Sequence, residues 1–212
     1  MSALKSSQTN CLIIFTRYPE AGKTKTRLIP ALGAKGAAIL QKKLTEHTVK
    51  EAKKLIKDVS IYIYYTGNSQ EVMKNWLGDD LAYYPQEKGD LGQRMQSAFR
   101  ESFELGFTNV VIIGIDCPDL NINLIKNAFE SLNDHDLVLG EATDGGYYLI
   151  GLKLVIPELF AQIPWGTDQV LSLTKNMAKK LMLNTFILPT LSDVDRPEDL
   201  YIWEQYTNLQ DK

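Results

Sequence analysis

Three acidic loops and one cationic loop hold the residue types that could do chemistry. The stretch Val110-Val111-Ile112-Ile113-Gly114-Ile115-Asp116-Cys117-Pro118-Asp119 runs from four consecutive β-branched residues into a carboxylate. An apolar run without polar interruption predicts a strand covered on both faces, as in the middle of a parallel sheet. Pro118 has no N–H to give a ladder, so Asp116 falls at the strand's carboxyl end. Ligands of open α/β sheets bind outside that end. A carboxylate there can hold a divalent cation, and such a cation commonly holds phosphate oxygens. Asp116 also has a plainer reading, as the cap of the next helix. Asn121 or Asp119 would serve that purpose equally well.

Asp144 and the pair Asp193 and Asp195 form the other acidic loops. Magnesium typically takes one or two protein carboxylates and completes its shell with phosphate and water. Asp116 and Asp195 are therefore the expected ligands of Mg²⁺ or Mn²⁺. Asp195 precedes a helix that starts at about Pro197, so it is equally placed as an N-cap; the two roles are compatible. Asp144 opens Asp-Gly-Gly, which suits a tight turn with positive φ. The neighbouring aromatic pair Tyr147-Tyr148 favours a substrate-facing role for it.

The cationic loop is Thr16-Arg17-Tyr18-Pro19-Glu20-Ala21-Gly22-Lys23-Thr24-Lys25-Thr26-Arg27-Leu28. Arg17, Lys23, Lys25 and Arg27 cluster around Gly22, directly after an apolar strand. A glycine turn after the first strand of an α/β sheet is a common phosphate cradle. Gly22 lets backbone N–H groups approach oxygens, Arg27 can bind two oxygens in a fork, and the lysines act as point charges. A charged loop can also be merely solvated. Gly22-Lys23-Thr24 ends like a Walker A motif, but the required first glycine is Arg17. Pro30 would also fall in the second turn of the helix that the lysine must open, at a cost of about 3 kcal/mol. No Ser-His-Asp or Cys-His nucleophile set is present. His47 lies near a helix's apolar stripe and His135 in a polar turn, both structural positions. Phosphate chemistry with a metal needs no protein nucleophile.

These loops need a scaffold of strands alternating with helices. Strands are expected over residues 11–15, 58–65, 81–85, 110–115, 136–140, 147–151 and 184–188. Helices are expected over about 34–57, 69–77, 93–105, 121–132 and 168–180, with a last one from about Pro197. This alternation gives an α/β fold with a mostly parallel sheet and right-handed crossovers. The exception is an antiparallel excursion near residues 136–151, where two strands meet across Asp-Gly-Gly.

The 212 residues fit one large domain or two small ones, and one is the simpler expectation: a flexible tail over 1–10, then a single domain over 11–212. A formal charge of −3 offers no basic field for nucleic acid. No apolar run is long enough to span a membrane, and the polar start lacks a signal peptide's apolar core. Cys11 and Cys117 stand alone in apolar stretches without metal spacing, as buried thiols of a reducing compartment do. A cytoplasmic protein is the expectation.

The cationic loop from Phe15 to Leu28 resembles the opening of a bacterial family known as a domain of unknown function, DUF2064, whose members often carry the label glycosyltransferase. The resemblance continues, in order, through Gly89-Asp90-Leu91-Gly92-Gln93-Arg94-Met95, Gly114-Ile115-Asp116-Cys117-Pro118, Asp144-Gly145-Gly146-Tyr147-Tyr148-Leu149-Ile150-Gly151, Pro164-Trp165-Gly166-Thr167 and Asp193-Val194-Asp195-Arg196-Pro197-Glu198-Asp199-Leu200. Gly166 departs from it, since serine is expected there. The family in turn resembles the nucleotide-diphospho-sugar transferase superfamily. That likeness implies a Rossmann-like three-layer sandwich of GT-A type, with a nucleotide-binding first half and an acceptor-binding second half. It makes Gly114-Ile115-Asp116 the metal-binding loop and Asp193-Val194-Asp195 a second metal-facing loop. It puts Asp90 and Arg94 near the base or donor phosphates.

Together these readings give a metal-dependent transferase acting on a nucleotide or nucleotide-sugar donor and a small acceptor. Asp116, Lys25 and Asp144 are the candidate catalytic residues. Arg17, Gly22, Lys23, Arg27, Asp90 and Arg94 would bind nucleotide or phosphate. Tyr147, Trp165 and Thr167 would face the acceptor. Glycosyl transfer is the first reading and nucleotidyl transfer from a triphosphate the second. A third is a module that holds a nucleotide without turning it over, against which an intact Asp116 and a second acidic loop both argue.

Overall fold

A computed structural model describes residues 9–210. Its strands are β1 (Asn10–Arg17), β2 (Ser60–Thr66), β3 (Ala82–Pro85), β4 (Asn109–Ile113), β5 (Leu137–Ala142), β6 (Tyr147–Leu152) and β7 (Thr185–Leu191). They form one sheet in the order β3-β2-β1-β4-β6-β5-β7. The run around Val110 is thus the middle strand of seven. It pairs in parallel with β1, Ile113 opposite Ile14, and antiparallel with β6, Ile113 opposite Leu149. β6 is the only reversed strand among those described, which is the expected antiparallel excursion. A bulge at Gly140 and Glu141 bends β5 where its neighbours change direction.

Side-chain alternation along each strand feeds two separate cores. Leu12, Ile14, Ile63, Val111 and Ile113 pack on one face, under α1 (Ile29–Lys53), α2 (Gln70–Leu77) and α4 (Ile122–Ser131). Ile13, Phe15, Tyr62, Tyr64, Val110 and Ile112 pack on the other, under α3 (Leu91–Glu104) and α5 (Val170–Lys180). The result is a three-layer sandwich. The last helix, α6 (Leu200–Gln210), leans on the first core through Leu200, Ile202 and Trp203.

Several boundaries differ from expectation for local reasons. Asn10 belongs to β1, not to a tail, because its backbone pairs with Asn109; residues 1–8 of the expected tail lie outside the described residues. The helix expected from residue 34 is preceded by one turn that starts at Ile29 and breaks at Gly33, where φ is 69°. It stops four residues early, at Lys53. α3 begins two residues early because Asp90 caps it: Asp90 Oδ1 accepts from the Gln93 N–H at 2.8 Å, and Gln93 Oε1 accepts from the Asp90 N–H at 3.0 Å. β7 continues through Pro189 to Leu191, since an edge strand can leave one N–H unused. Cys11 and Cys117 are free and buried, and burial pushes the Cys11 thiol up to about 12. Among the described residues, no helix is long and apolar enough to cross a membrane.

The second core predicts a sharp contrast in stability. Phe99 is fully buried on α3, between Phe103 and Phe160 at centroid distances of 6.2 and 5.9 Å. Phe99→Ala should lower unfolding free energy by about 3–5 kcal/mol, whereas Met182→Ala, at a side chain 90% exposed, should stay within about 0.5 kcal/mol of wild type. Urea titrations of both variants check this.

Candidate active site

The carboxyl ends of β1, β4, β5 and β7 open on a cleft of about 650 Å³. Lys25 is its hub. This lysine has left-handed backbone angles, φ 46° and ψ 44°, just ahead of a 3-10 turn over Thr26–Leu28. That turn folds the side chain inward until only 4% of it is exposed. Lys25 Nζ lies 2.6 Å from Asp116 Oδ1 and 3.6 Å from Asp195 Oδ1, and it donates to the Val194 carbonyl at 2.5 Å. Arg27 Nη1 pairs with the other Asp195 oxygen at 2.5 Å. The Val194 N–H donates to the Asp116 carbonyl at 2.8 Å and ties the two acidic loops backbone to backbone. Two carboxylates from chain positions 79 residues apart thus share one ammonium.

The capping alternatives now resolve. Asn121 caps α4, its Oδ1 accepting from the N–H groups of Asn123 and Leu124 at 3.0 and 3.3 Å. Asp199, not Asp195, accepts from the Arg196 N–H, at 2.7 Å. Neither Asp116 nor Asp195 serves as a cap. Asp144 Oδ1 accepts from the Gly146 N–H at 2.8 Å to close the expected turn, and the residue also lines the cleft. Gly145 in that turn has φ 87°, and a Cβ there would sit 2.3 Å from the Asp168 carbonyl oxygen.

Arg17, Lys25, Arg27 and Arg94 line the cleft, and so do Tyr147, Trp165 and Thr167. Gly22, Lys23 and Asp90 do not. Gly22 makes the turn of its loop with φ 81°. Lys23 pairs with Glu20 at 2.8 Å on the outside, where its side chain is 60% exposed. Asp90 is engaged as the cap of α3. The Thr167 hydroxyl donates to the Pro164 carbonyl at 2.8 Å, within its own loop. Gly166 has φ 83°, a conformation that explains a glycine where serine is expected. Trp165 meets Tyr147 edge-on, with centroids 6.4 Å apart, and lies on Gly92 so closely that a Cβ there would come within 2.5 Å of the indole.

Among the cleft residues not chosen from the sequence as site residues, four stand out. Gln41 donates to the Arg17 carbonyl at 3.1 Å, and Gln86 donates to the carbonyls of Thr16 and Tyr64 at 3.3 and 2.9 Å. With Thr16 they fix the end of β1. A buried glutamine on the apolar stripe of α1 is the signal that could have found Gln41. Asp193 is the fourth. Burial, and then the negative charge of Asp144, raise its carboxyl to about 6. It flanks the fully buried Val194 opposite Asp195, so the Asp-Val-Asp pattern carried its signal. His47 and His135 lie outside the cleft wall. Among the described residues, no group of three or more His, Cys, Asp or Glu side chains is arranged to hold a metal ion on its own.

The seven-stranded, mostly parallel α/β sheet matches the fold of nucleotide-diphospho-sugar transferase structures. A candidate nucleotide-diphospho-sugar transferase from Desulfovibrio desulfuricans G20 superposes with a TM-score of 0.84 at 34% identity, over 89% of this chain and 83% of the other. The model of the family described as "Uncharacterized protein conserved in bacteria (DUF2064)" matches residues 48–167, and the chain belongs to that family. More distant structures share the fold alone. The 4-diphosphocytidyl-2C-methyl-D-erythritol synthase of Anaerococcus prevotii DSM 20548 has a TM-score of 0.61 at 9% identity, over 94% of this chain and 97% of that one. Glucosyl-3-phosphoglycerate synthase of Mycobacterium tuberculosis, in complex with Mn²⁺, uridine-diphosphate and glucosyl-3-phosphoglycerate, has a TM-score of 0.54 at 12% identity, over 93% of this chain and 76% of that one. No curated protein matches the chain by sequence.

Asp193 gives a prediction whose sign can be worked out. Its folded pKa lies above the ordinary carboxylate value, so its ionised form is disfavoured in the native state. The penalty is absent below about pH 4, grows between about pH 4 and 6, and is complete above. Asp193→Asn should therefore raise the thermal midpoint at pH 7.5 in chelator-treated buffer and leave it nearly unchanged at pH 4. A midpoint difference that is constant with pH would count against the raised pKa.

Proposed function

We propose that this chain is a divalent-metal-dependent transferase that uses a nucleotide-activated donor, with glycosyl transfer from a nucleotide-diphospho-sugar as the first reading. The observation that carries it is the shared ammonium: Lys25 between Asp116 and Asp195, with Arg27 on the outer Asp195 oxygen. A cleft that already balances two carboxylates with two cations can exchange part of that set for a metal and a phosphate chain at little electrostatic cost. The donor set fits Mg²⁺ or Mn²⁺, being hard oxygens and only two of them, which leaves the remaining positions to phosphate oxygens and water. Asp116 and Asp195 would hold the ion, which when bound would neutralise charge on the leaving phosphates.

The chain's own residues divide the remaining work. Arg17, Lys25 and Arg27 face the donor phosphates, with Arg94 from α3 beside them. Asp144 and Tyr147 form the acceptor side with Trp165 and Thr167. Asp144 is placed to accept a hydrogen bond from an acceptor hydroxyl, orienting it for attack. Gly22, Lys23 and Asp90 shape the loops around the donor and do not touch it.

Nucleotidyl transfer is the second reading. It is favoured by three cations on the donor wall, Arg17 at the end of β1 and Lys25 and Arg27 from the loop that follows, which match the charge of a triphosphate better than that of a diphosphate.

Product analysis separates the two. The protein is incubated with each NTP and with a panel of nucleotide sugars, with and without Mg²⁺. Metal-dependent release of nucleoside diphosphate is expected; pyrophosphate release would establish the second reading, and failure to bind any nucleotide would sink both. Arg27→Ala should weaken nucleotide binding about tenfold, in line with loss of a charge-assisted hydrogen bond. Lys23→Ala should leave affinity unchanged. Calorimetry on both variants tests this assignment of the loop, and equal effects would contradict it.

A further inference from the structure

The loop that carries Asp116 is held from behind by a residue that the functional reading leaves unused. Cys117, Pro118 and Leu120 are buried between β4 and α4. The loop's carbonyls have named partners. Asp116 O accepts from Val194, Cys117 O from Leu120 at 3.1 Å, and Pro118 O faces His47 Nε2 at 2.9 Å. His47 comes from the C-terminal half of α1, 71 residues earlier. Its other ring nitrogen, Nδ1, faces the Tyr206 hydroxyl at 3.4 Å. The two rings are 4.8 Å apart, and Tyr206 stacks in turn on Trp203, which packs against the core.

Donor and acceptor counting fixes the proton. A carbonyl can only accept, so His47 Nε2 must carry hydrogen toward Pro118. Nδ1 is then free to accept from Tyr206. Burial lowers the His47 pKa from its ordinary 6.5, which keeps the ring neutral at neutral pH.

We propose that His47 is a positioning residue for the Asp116 loop, its tautomer set by the Pro118 carbonyl and its ring held in place by Tyr206 of α6. The C-terminal helix thereby braces the carboxylate at the centre of the sheet, through Tyr206 O–H to His47 Nδ1 and His47 Nε2–H to the Pro118 carbonyl. This assignment rests on the reading of Asp116 as a donor-site carboxylate. Outer partners of this kind orient a ligand without touching it, and their loss commonly lowers metal affinity or activity about 10- to 100-fold.

The test compares His47→Leu, which keeps bulk and removes the donor, with His47→Gln, whose amide N–H can reach the same carbonyl. Mn²⁺ binding in the presence of nucleotide, read by electron paramagnetic resonance, should weaken about tenfold or more in His47→Leu and return toward wild type in His47→Gln. Amide exchange over residues 116–120 should accelerate about tenfold in His47→Leu alone, as loss of one hydrogen bond implies. Wild-type behaviour of His47→Leu in both readouts, or losses in His47→Gln equal to those in His47→Leu, would overturn the proposal. If wild type binds no Mn²⁺ with nucleotide, the functional reading fails, and exchange alone decides the bracing role. Imidazole ¹⁵N NMR of the unmodified protein supplies a check that no variant can compromise by misfolding. At pH 7.5 it should show hydrogen on Nε2 and none on Nδ1; hydrogen on Nδ1 would overturn the assignment.

Discussion

Two carboxylates that approach one ammonium set the terms for the rest of this molecule. Asp116 and Asp195 bring like charges to the same place, and without compensation they would repel. Lys25 compensates from inside, nearly buried, and Arg27 from outside. The Val194 hydrogen bond to the Asp116 carbonyl then fixes the spacing through the backbone, where side-chain motion cannot relax it. The fold has to supply all three parties. β4, at the centre of the sheet, supplies the first carboxylate, the loop after the edge strand β7 supplies the second, and the loop after β1 supplies the cations. Because β1 and β4 are parallel neighbours, their carboxyl ends meet without any long excursion of the chain.

The same geometry explains why the reversed strand matters. β6 enters the sheet from the opposite direction, so its first residue, Tyr147, starts at the end where its neighbours finish. Asp144 and Tyr147 reach the cleft by this route. The close seat of Trp165 on Gly92 links that aromatic wall to the start of α3, which also carries Arg94. The wall that carries Tyr147 and Trp165 is therefore packed on the helix that carries Arg94, as well as sharing a cavity with it.

Much of this was legible in the sequence. Unbroken apolar runs announced β1 and β4, and Asp-Gly-Gly announced the turn before the reversed strand. The DUF2064 motifs marked the loops that converge. What the sequence concealed was tertiary. Lys23 and Lys25 sit two residues apart in one cationic loop, and nothing local says that one faces Glu20 outside while the other is turned inward by a left-handed backbone. Asp90 has the charge of a site residue and the duty of a cap, which its neighbour Gln93, three residues on, could have revealed. Gly92 and Trp165 are 73 residues apart, and their contact exists only in three dimensions. The proline of β7 read as a strand end because its tolerance depends on edge position, a property of the whole sheet.

The proposed role of Asp116 and Asp195 is to take up a cation as a pair, together with nucleotide phosphates. The most direct measurement is the electron paramagnetic resonance spectrum of Mn²⁺ titrated into the wild-type protein and into Asp116→Asn, each with and without a nucleoside diphosphate. With two protein carboxylates assigned to the ion, wild type should take up Mn²⁺ strongly only when the nucleotide is present, and Asp116→Asn should lose that uptake. Mn²⁺ binding that is indifferent to the nucleotide, or that survives in Asp116→Asn, would contradict the account.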